Sequence, residues 1–169
     1  FRIGQSKVPY GFENMQSSQN RLPLDRADPT NSAVSNERDL GVFFYWAPAE
    51  KRKLFSKLVK ENLKGSADYG VVGLGVYNGQ TANRPELNNN KHIVGRISYP
   101  FEFKSQIFEF GVQAYKGQYT LLSNTSGVIL KDQKLYRDER IGATAIIYPR
   151  PFGLFAEYNL GVGPEYDKF

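Results

Sequence analysis

Apolar and polar residues alternate with a period of two along most of the 169-residue chain. Alternation of this kind is typical of β-strands that have one apolar face and one polar face. In 106–119, for example, Phe108 and Phe110 alternate with Glu109 and Gly111. The pattern predicts seven strands, in the ranges 1–10, 38–48, 69–78, 92–103, 106–119, 136–148 and 152–163.

The length of these segments favours a membrane over water. The predicted strands have 10 to 14 residues, whereas strands in soluble sheets average about 5–6. A tilted strand needs about 9–11 residues to cross a bilayer. Alternation alone does not choose between the two solvents, because a soluble sandwich also has one apolar face on each sheet.

The connections between the predicted strands are long at one end of the sheet and short at the other. The long ones are 11–37, 79–91 and 120–135, and the short ones are 104–105 and 149–151. Outer-membrane barrels have this asymmetry, with short periplasmic turns and longer outer loops. The predicted fold class is therefore all-β, an antiparallel transmembrane β-barrel.

The segment 49–66 is the exception at the short-turn end. Its apolar residues recur at helical spacing, which predicts a short amphipathic helix inserted on the periplasmic side. The segment has six basic and two acidic residues, so it supplies most of the chain's net charge of +5. A solvated helix face explains this charge, and a nucleic-acid surface is a minor alternative. The apolar positions are Leu54, Phe55, Leu58, Val59 and Leu63.

Composition argues against an enzyme. The chain has no cysteine and one histidine, which leaves no disulfide, no thiolate metal site and no partner with which His92 could share a metal. Glu109 and Glu157 are predicted on the polar face, where strand 136–148 separates them, so they fit an aqueous lumen better than a catalytic pair. We expect no catalytic residue, no metal and no cofactor.

Seven strands do not make a closed pore. An open set would leave two unpaired edges in lipid, which is energetically forbidden, so residues 1–169 are predicted to be one segment of a larger barrel. A soluble β-barrel or sandwich that binds a small ligand is the alternative. In that case the apolar side chains would line the interior.

Four short motifs resemble a known family. They are FRIGQSKVPYG at 1–11, SSQNR at 17–21, ERDLGV at 37–42 and GVYNG at 75–79. Together they are similar to the phosphate-selective porin O and P family. The resemblance implies a barrel of about 16 strands in the bacterial outer membrane, in contact with lipid and lipopolysaccharide and commonly trimeric. It also implies passive diffusion of small hydrophilic solutes, among them anions such as phosphate.

The resemblance further implies where a solute would be selected. The loop 11–37 would fold inward and narrow the pore, with arginines that attract anions in the loop and on the wall. The loop is itself net negative, with four acidic and two basic residues, so a general porin fits as well. Arg96 and Arg140 are expected to point into water, and Phe108, Phe110, Leu154 and Tyr158 to point to lipid. The candidate pore-lining residues are Arg2, Arg21, Arg26, Arg38, Arg96 and Arg140.

Overall fold

Seven antiparallel strands form a single sheet in the computed structural model, which describes residues 1–120 and 135–164. Each strand pairs with the next one in the chain, so the sheet is a simple meander. All seven predicted strands are present, and the prediction of an all-β antiparallel fold is confirmed. The strands are β1 (Arg2–Lys7), β2 (Arg38–Trp46), β3 (Val72–Tyr77), β4 (His92–Phe103), β5 (Gln106–Thr120), β6 (Leu135–Ile147) and β7 (Leu154–Val162).

The register places apolar residues and polar residues in separate rows across the strands. One row runs from Ile97 through Val112 and Ala143 to Tyr158, and the next runs from Arg96 through Gln113 and Gly142 to Asn159. Within the described residues, β1 pairs only with β2 and β7 only with β6, so the described sheet is open.

Short turns and long connections lie at opposite ends of the sheet. Lys104 and Ser105 join β4 to β5, and residues 148–153 join β6 to β7. At the other end, residues 8–37 follow β1 and residues 78–91 follow β3. The predicted loop 120–135 lies outside the described residues except for its first and last positions.

The helices of the described residues lie in the connections between strands. Residues 8–37 contain α1 (Phe12–Met15), a 3₁₀ turn (Ser18–Asn20) and α2 (Asp28–Ala33). At the short-turn end, α3 (Ala49–Lys60) lies within the predicted range 49–66. No helix in the described ranges combines the length and the apolarity needed to cross a bilayer.

The helix α3 ends six residues before the predicted limit. Asn62 has a φ of 53°, and the backbone N–H of Leu63 donates to the Leu58 carbonyl at 2.9 Å. This left-handed residue turns the chain back onto the helix. Phe55 and Leu58, three residues apart on one helix face, are both fully buried.

Two apolar clusters lie where the connections pack on the sheet. The cluster at the short-turn end joins α1 and α3 to β5 and β6, and the cluster at the long-loop end joins residues 8–37 to β2, β3, β4 and β5. The first contains Phe12, Ala47, Phe55, Leu58, Leu63, Val71, Ile107, Ile146 and Tyr148. The second contains Val8, Tyr10, Val34, Phe43, Tyr77, Val94 and Tyr115.

Candidate functional site

The two faces of the sheet differ in chemistry and in exposure. We call the face with the exposed apolar side chains the outer face and the opposite one the inner face. Inner-face residues are mostly buried, and many are polar or charged. Soluble proteins rarely expose an apolar surface of this extent. Exposed outer-face residues include Ile93, Ile97, Tyr99, Phe110, Val112, Leu154, Tyr158 and Leu160.

Residues 8–37, which we call the crossing segment, run over the inner face from β1 to β7. The Tyr10 hydroxyl donates to Asn159 Oδ1 at 2.8 Å, and burial raises the pKa of Tyr10, which keeps this donor protonated. The Glu157 carboxylate accepts from the Phe12 N–H at 2.8 Å and from the Thr30 hydroxyl at 2.9 Å. One strand thus anchors two parts of the segment.

A glycine allows the segment to approach β7 this closely. Gly11 has a φ of 77°, and a Cβ there would lie 2.8 Å from Thr30 Cγ2 and 3.3 Å from Glu157 Oε1. A side chain would both strain the backbone and push the segment off its anchor.

Arg140 on β6 provides a second anchor. Its guanidinium donates to the Ser32 hydroxyl at 2.8 Å and to the Pro164 carbonyl at 2.9 Å. The residue is only 8% exposed. Arg140 is therefore on the inner face, but the crossing segment covers it.

Two arginines hold the crossing segment together from within. Arg26 is buried and donates to the carbonyls of Val34 and Ser35, each at 2.8 Å. Arg21 forms an ion pair with Glu37 and donates to the Glu13 carbonyl at 3.1 Å. Guanidinium groups suit this task because their donors point in several fixed directions.

Glu37 also connects the segment to the sheet, through an ion pair with Lys7 at 3.1 Å. Burial works to raise the pKa of Glu37, but hydrogen bonds from Arg21 and Lys7 outweigh it and hold the pKa below its ordinary value. The carboxylate is therefore charged when the segment is in place. Lys7 donates in addition to the carbonyls of Asn14 and Gln16.

A buried ion pair lies nearer the short turns. Arg96 on β4 and Glu109 on β5 are 3.2 Å apart and almost fully buried. Tyr148 donates to the same carboxylate at 2.6 Å, and Ser98 donates as well. A buried charge needs partners of this kind because desolvation is costly.

A comparison with known protein families identifies the family of this chain. The family model for phosphate-selective porin O and P matches residues 1–167. The chain belongs to the phosphate-selective porin O and P family. It matches no curated protein and no solved structure.

Family membership makes this chain a porin of the bacterial outer membrane, which is a channel-forming protein. The apolar outer face of the strands is the surface expected to meet lipid, and the polar inner face with its crossing segment is the surface expected to meet the aqueous passage.

The six candidate arginines of this porin divide by position. The expectation that Arg96 and Arg140 point into water is wrong: both lie on the predicted face, but they are 3% and 8% exposed because Glu109 and the crossing segment cover them. Arg21 and Arg26 bind within the crossing segment, as described above.

Arg2 and Arg38 are both exposed, but they lie on different faces. The Arg2 guanidinium stacks over the inner-face Tyr45 ring and over Tyr69, at 5.3 and 4.5 Å from the ring centres. Arg38 begins β2, and alternation along that strand places it on the side of the exposed Leu40. Alternation therefore does not support a place for Arg38 in the pore lining, and that role stays a prediction.

Sequence reasoning missed the anchoring role of Glu157. Alternation placed Glu157 on the polar face, as the structure does, but assigned it only to the lumen wall. Its partners, Phe12 and Thr30, are 145 and 127 residues away in sequence, and no local pattern reports such a contact.

Proposed function

We propose that this porin forms a water-filled channel for passive diffusion of small hydrophilic solutes, with a preference for anions such as phosphate. The observation that carries the proposal is the crossing segment, bound across the polar face of a sheet whose other face is apolar and exposed. A segment inside a barrel narrows the passage and brings its polar groups close to the solute.

The constriction proposed here is the part of the crossing segment predicted from sequence, residues 11–37. Its attachment at Glu157 and Arg140 lies on β7 and β6, the strands farthest from β1 in the described sheet. A loop that is attached to the sheet at both of its ends keeps the width of the passage fixed. A passage of fixed width excludes solutes that are larger than it.

Arg2 is the arginine that we assign to anion contact. It is exposed, it is on the inner face near the short turns, and its described contacts are two aromatic rings and no carboxylate. A guanidinium of this kind keeps its donors for a phosphate or another oxyanion. Arg21, Arg26, Arg96 and Arg140 act instead by fixing the constriction and the wall.

The assembly is a further part of the proposal. The family resemblance favours a homotrimer whose outer surface contacts lipopolysaccharide. Light scattering of the detergent-solubilised porin tests it, with a trimer expected; a monomer at all concentrations would contradict this part and leave the channel.

Reversal potentials across planar bilayers under a salt gradient test the selectivity. We expect an anion-preferring potential for the native porin. Arg2→Gln should lower the anion-to-cation permeability ratio by up to about fivefold, because a charge at contact distance contributes about 1 kcal/mol in water.

Arg38→Gln is the matched control, since it removes the same charge from the outer face. It should leave the reversal potential unchanged. A cation-preferring native channel would contradict the anion preference, and equal effects of the two variants would contradict the assignment to Arg2.

A further inference from the structure

A cavity of about 250 Å³ lies at the long-loop end of the sheet, beside the anchor at Arg140 and apart from Glu157 and from the Arg96–Glu109 pair. Its wall is made by the end of α2 and the residues after it, by the residues that follow β3, and by the ends of β4, β5 and β6. At about 30 Å³ per water molecule, this volume equals roughly eight waters, the size of a monosaccharide. Its lining includes Asp39, Tyr77, Gly79, His92, Tyr119 and Asp138.

The fold is built around the His92 ring, which lines this cavity. A Cβ at Gly79 would overlap Nδ1 of the ring, and a Cβ at Gly117 would overlap Cγ. The ring also lies beside Tyr77 and Tyr115, at 5.2 and 5.9 Å between ring centres. Two glycines and two aromatic rings thus hold the imidazole in one orientation.

The hydrogen bond at Nε2 of the His92 ring determines whether Nδ1 is a donor or an acceptor. Nε2 of His92 donates to Asp138 Oδ2 at 3.1 Å, and Tyr115 donates to Asp138 Oδ1 at 2.6 Å. With the proton on Nε2, Nδ1 carries a lone pair and is an acceptor.

Two buried polar atoms of this wall have no hydrogen-bond partner among the described residues. They are Nδ1 of His92 and the hydroxyl of Tyr77, in side chains that are only 1% and 4% exposed. Buried polar atoms in native proteins are nearly always hydrogen-bonded, so this pair points to an occupant that offers a donor.

The charges around His92 disfavour an ionic occupant. The Asp39 carboxylate already accepts from the N–H groups of Leu40, Gly79 and Thr81, and both oxygens of Asp138 are engaged. A buried cation would therefore find no free carboxylate. Arg84 also lines the cavity, but its side chain is exposed, so an anion placed beside His92 would lie against the two carboxylates.

We propose that this cavity is a binding site for a small uncharged polyhydroxylated solute of about monosaccharide size. One hydroxyl of the solute donates to Nδ1 of His92, and a neighbouring hydroxyl pairs with the Tyr77 hydroxyl. A hydroxyl fits both positions because it can donate and accept. The site is separate from the anion contact at Arg2 and does not depend on which solute the channel conducts.

His92 is the only histidine in the chain, so ¹⁵N-histidine labelling of the porin in detergent micelles gives one pair of ring signals. Titration with D-glucose or glycerol should shift the Nδ1 signal in a saturable way toward that of a hydrogen-bonded nitrogen. Sodium phosphate at the same ionic strength should give no saturable shift.

Tyr77→Phe should weaken the solute-induced shift by roughly fivefold in apparent Kd, the effect of one hydrogen bond. It removes no hydrogen bond to a described residue. Tyr99→Phe, on the outer face, is the matched control and should bind like the native porin. The absence of a saturable shift with any polyol, or a proton on Nδ1 instead of Nε2, would overturn the proposal.

Discussion

Arg96 and Glu109 form a buried ion pair on neighbouring strands, and at the scale of single residues this pair shows how the inner face treats charge. Each group is covered by protein instead of water, and Tyr148 completes the hydrogen bonding of the carboxylate. Each member of the pair therefore serves to neutralise the buried charge of the other, and neither attracts a solute.

Glu109→Ala should destabilise the folded porin by about 3–5 kcal/mol, because it leaves the Arg96 guanidinium buried without a counter-charge. The free energy of unfolding in phospholipid vesicles, from urea titration, measures it. Glu139→Ala breaks the exposed pair with Arg137 and should cost less than about 1 kcal/mol. Equal costs for the two variants would contradict a buried role for Glu109.

Glu37 makes the attachment of the crossing segment depend on pH. Its pKa in the folded state is held below the ordinary value of 4.5, so its contribution to stability is complete above that value and is lost as pH falls through the lowered pKa. The unfolding midpoint should therefore decline in acid more steeply for the native porin than for Glu37→Gln. Parallel pH profiles of the two proteins would show that Glu37 is not coupled to folding.

At the scale of elements, the crossing segment and the strand that anchors it form one unit. Glu157 accepts from two separate positions of the segment, and Gly11 allows the close approach. The helices of the segment have only four and six residues, so its position depends on its contacts with the sheet, among them those with Glu157 and Arg140.

Glu157→Ala should release the segment from β7, since each hydrogen bond to a charged group contributes about 1.5–3 kcal/mol. We expect a larger and noisier single-channel conductance in planar bilayers. Tyr158→Ala, the next residue and on the outer face, is the control and should conduct like the native porin. An unchanged conductance for Glu157→Ala would contradict the constriction.

The same scale shows what the sequence could predict. Period-two alternation identified every strand, because each strand has one apolar face. The alternation pattern extended β1 to residue 10, whereas the strand ends at Lys7. There the lysine side chain donates to the carbonyls of Asn14 and Gln16. Alternation predicted the face of Arg96 and Arg140 but not their partners, since those partners depend on register and on a segment more than 100 residues away.

At the scale of the whole molecule, the account requires the outer face to meet hydrocarbon. The exposed rows on β4 to β7 are made of isoleucine, valine, leucine and aromatic residues, and family membership places the chain in the outer membrane. Successive residues of a strand point to opposite faces of the sheet, so probes at neighbouring positions should be in lipid at one position and away from lipid at the next.

Spin labels at neighbouring positions of β5 test this directly, and the chain has no cysteine to interfere. Val112→Cys places the label on the outer face and Gln113→Cys on the inner face. In lipid vesicles, the label at 112 should collide readily with oxygen and hardly with a water-soluble nickel chelate, whereas the label at 113 should be poorly accessible to oxygen. Ready access of the nickel chelate to position 112, with oxygen favoured at 113, would contradict the account.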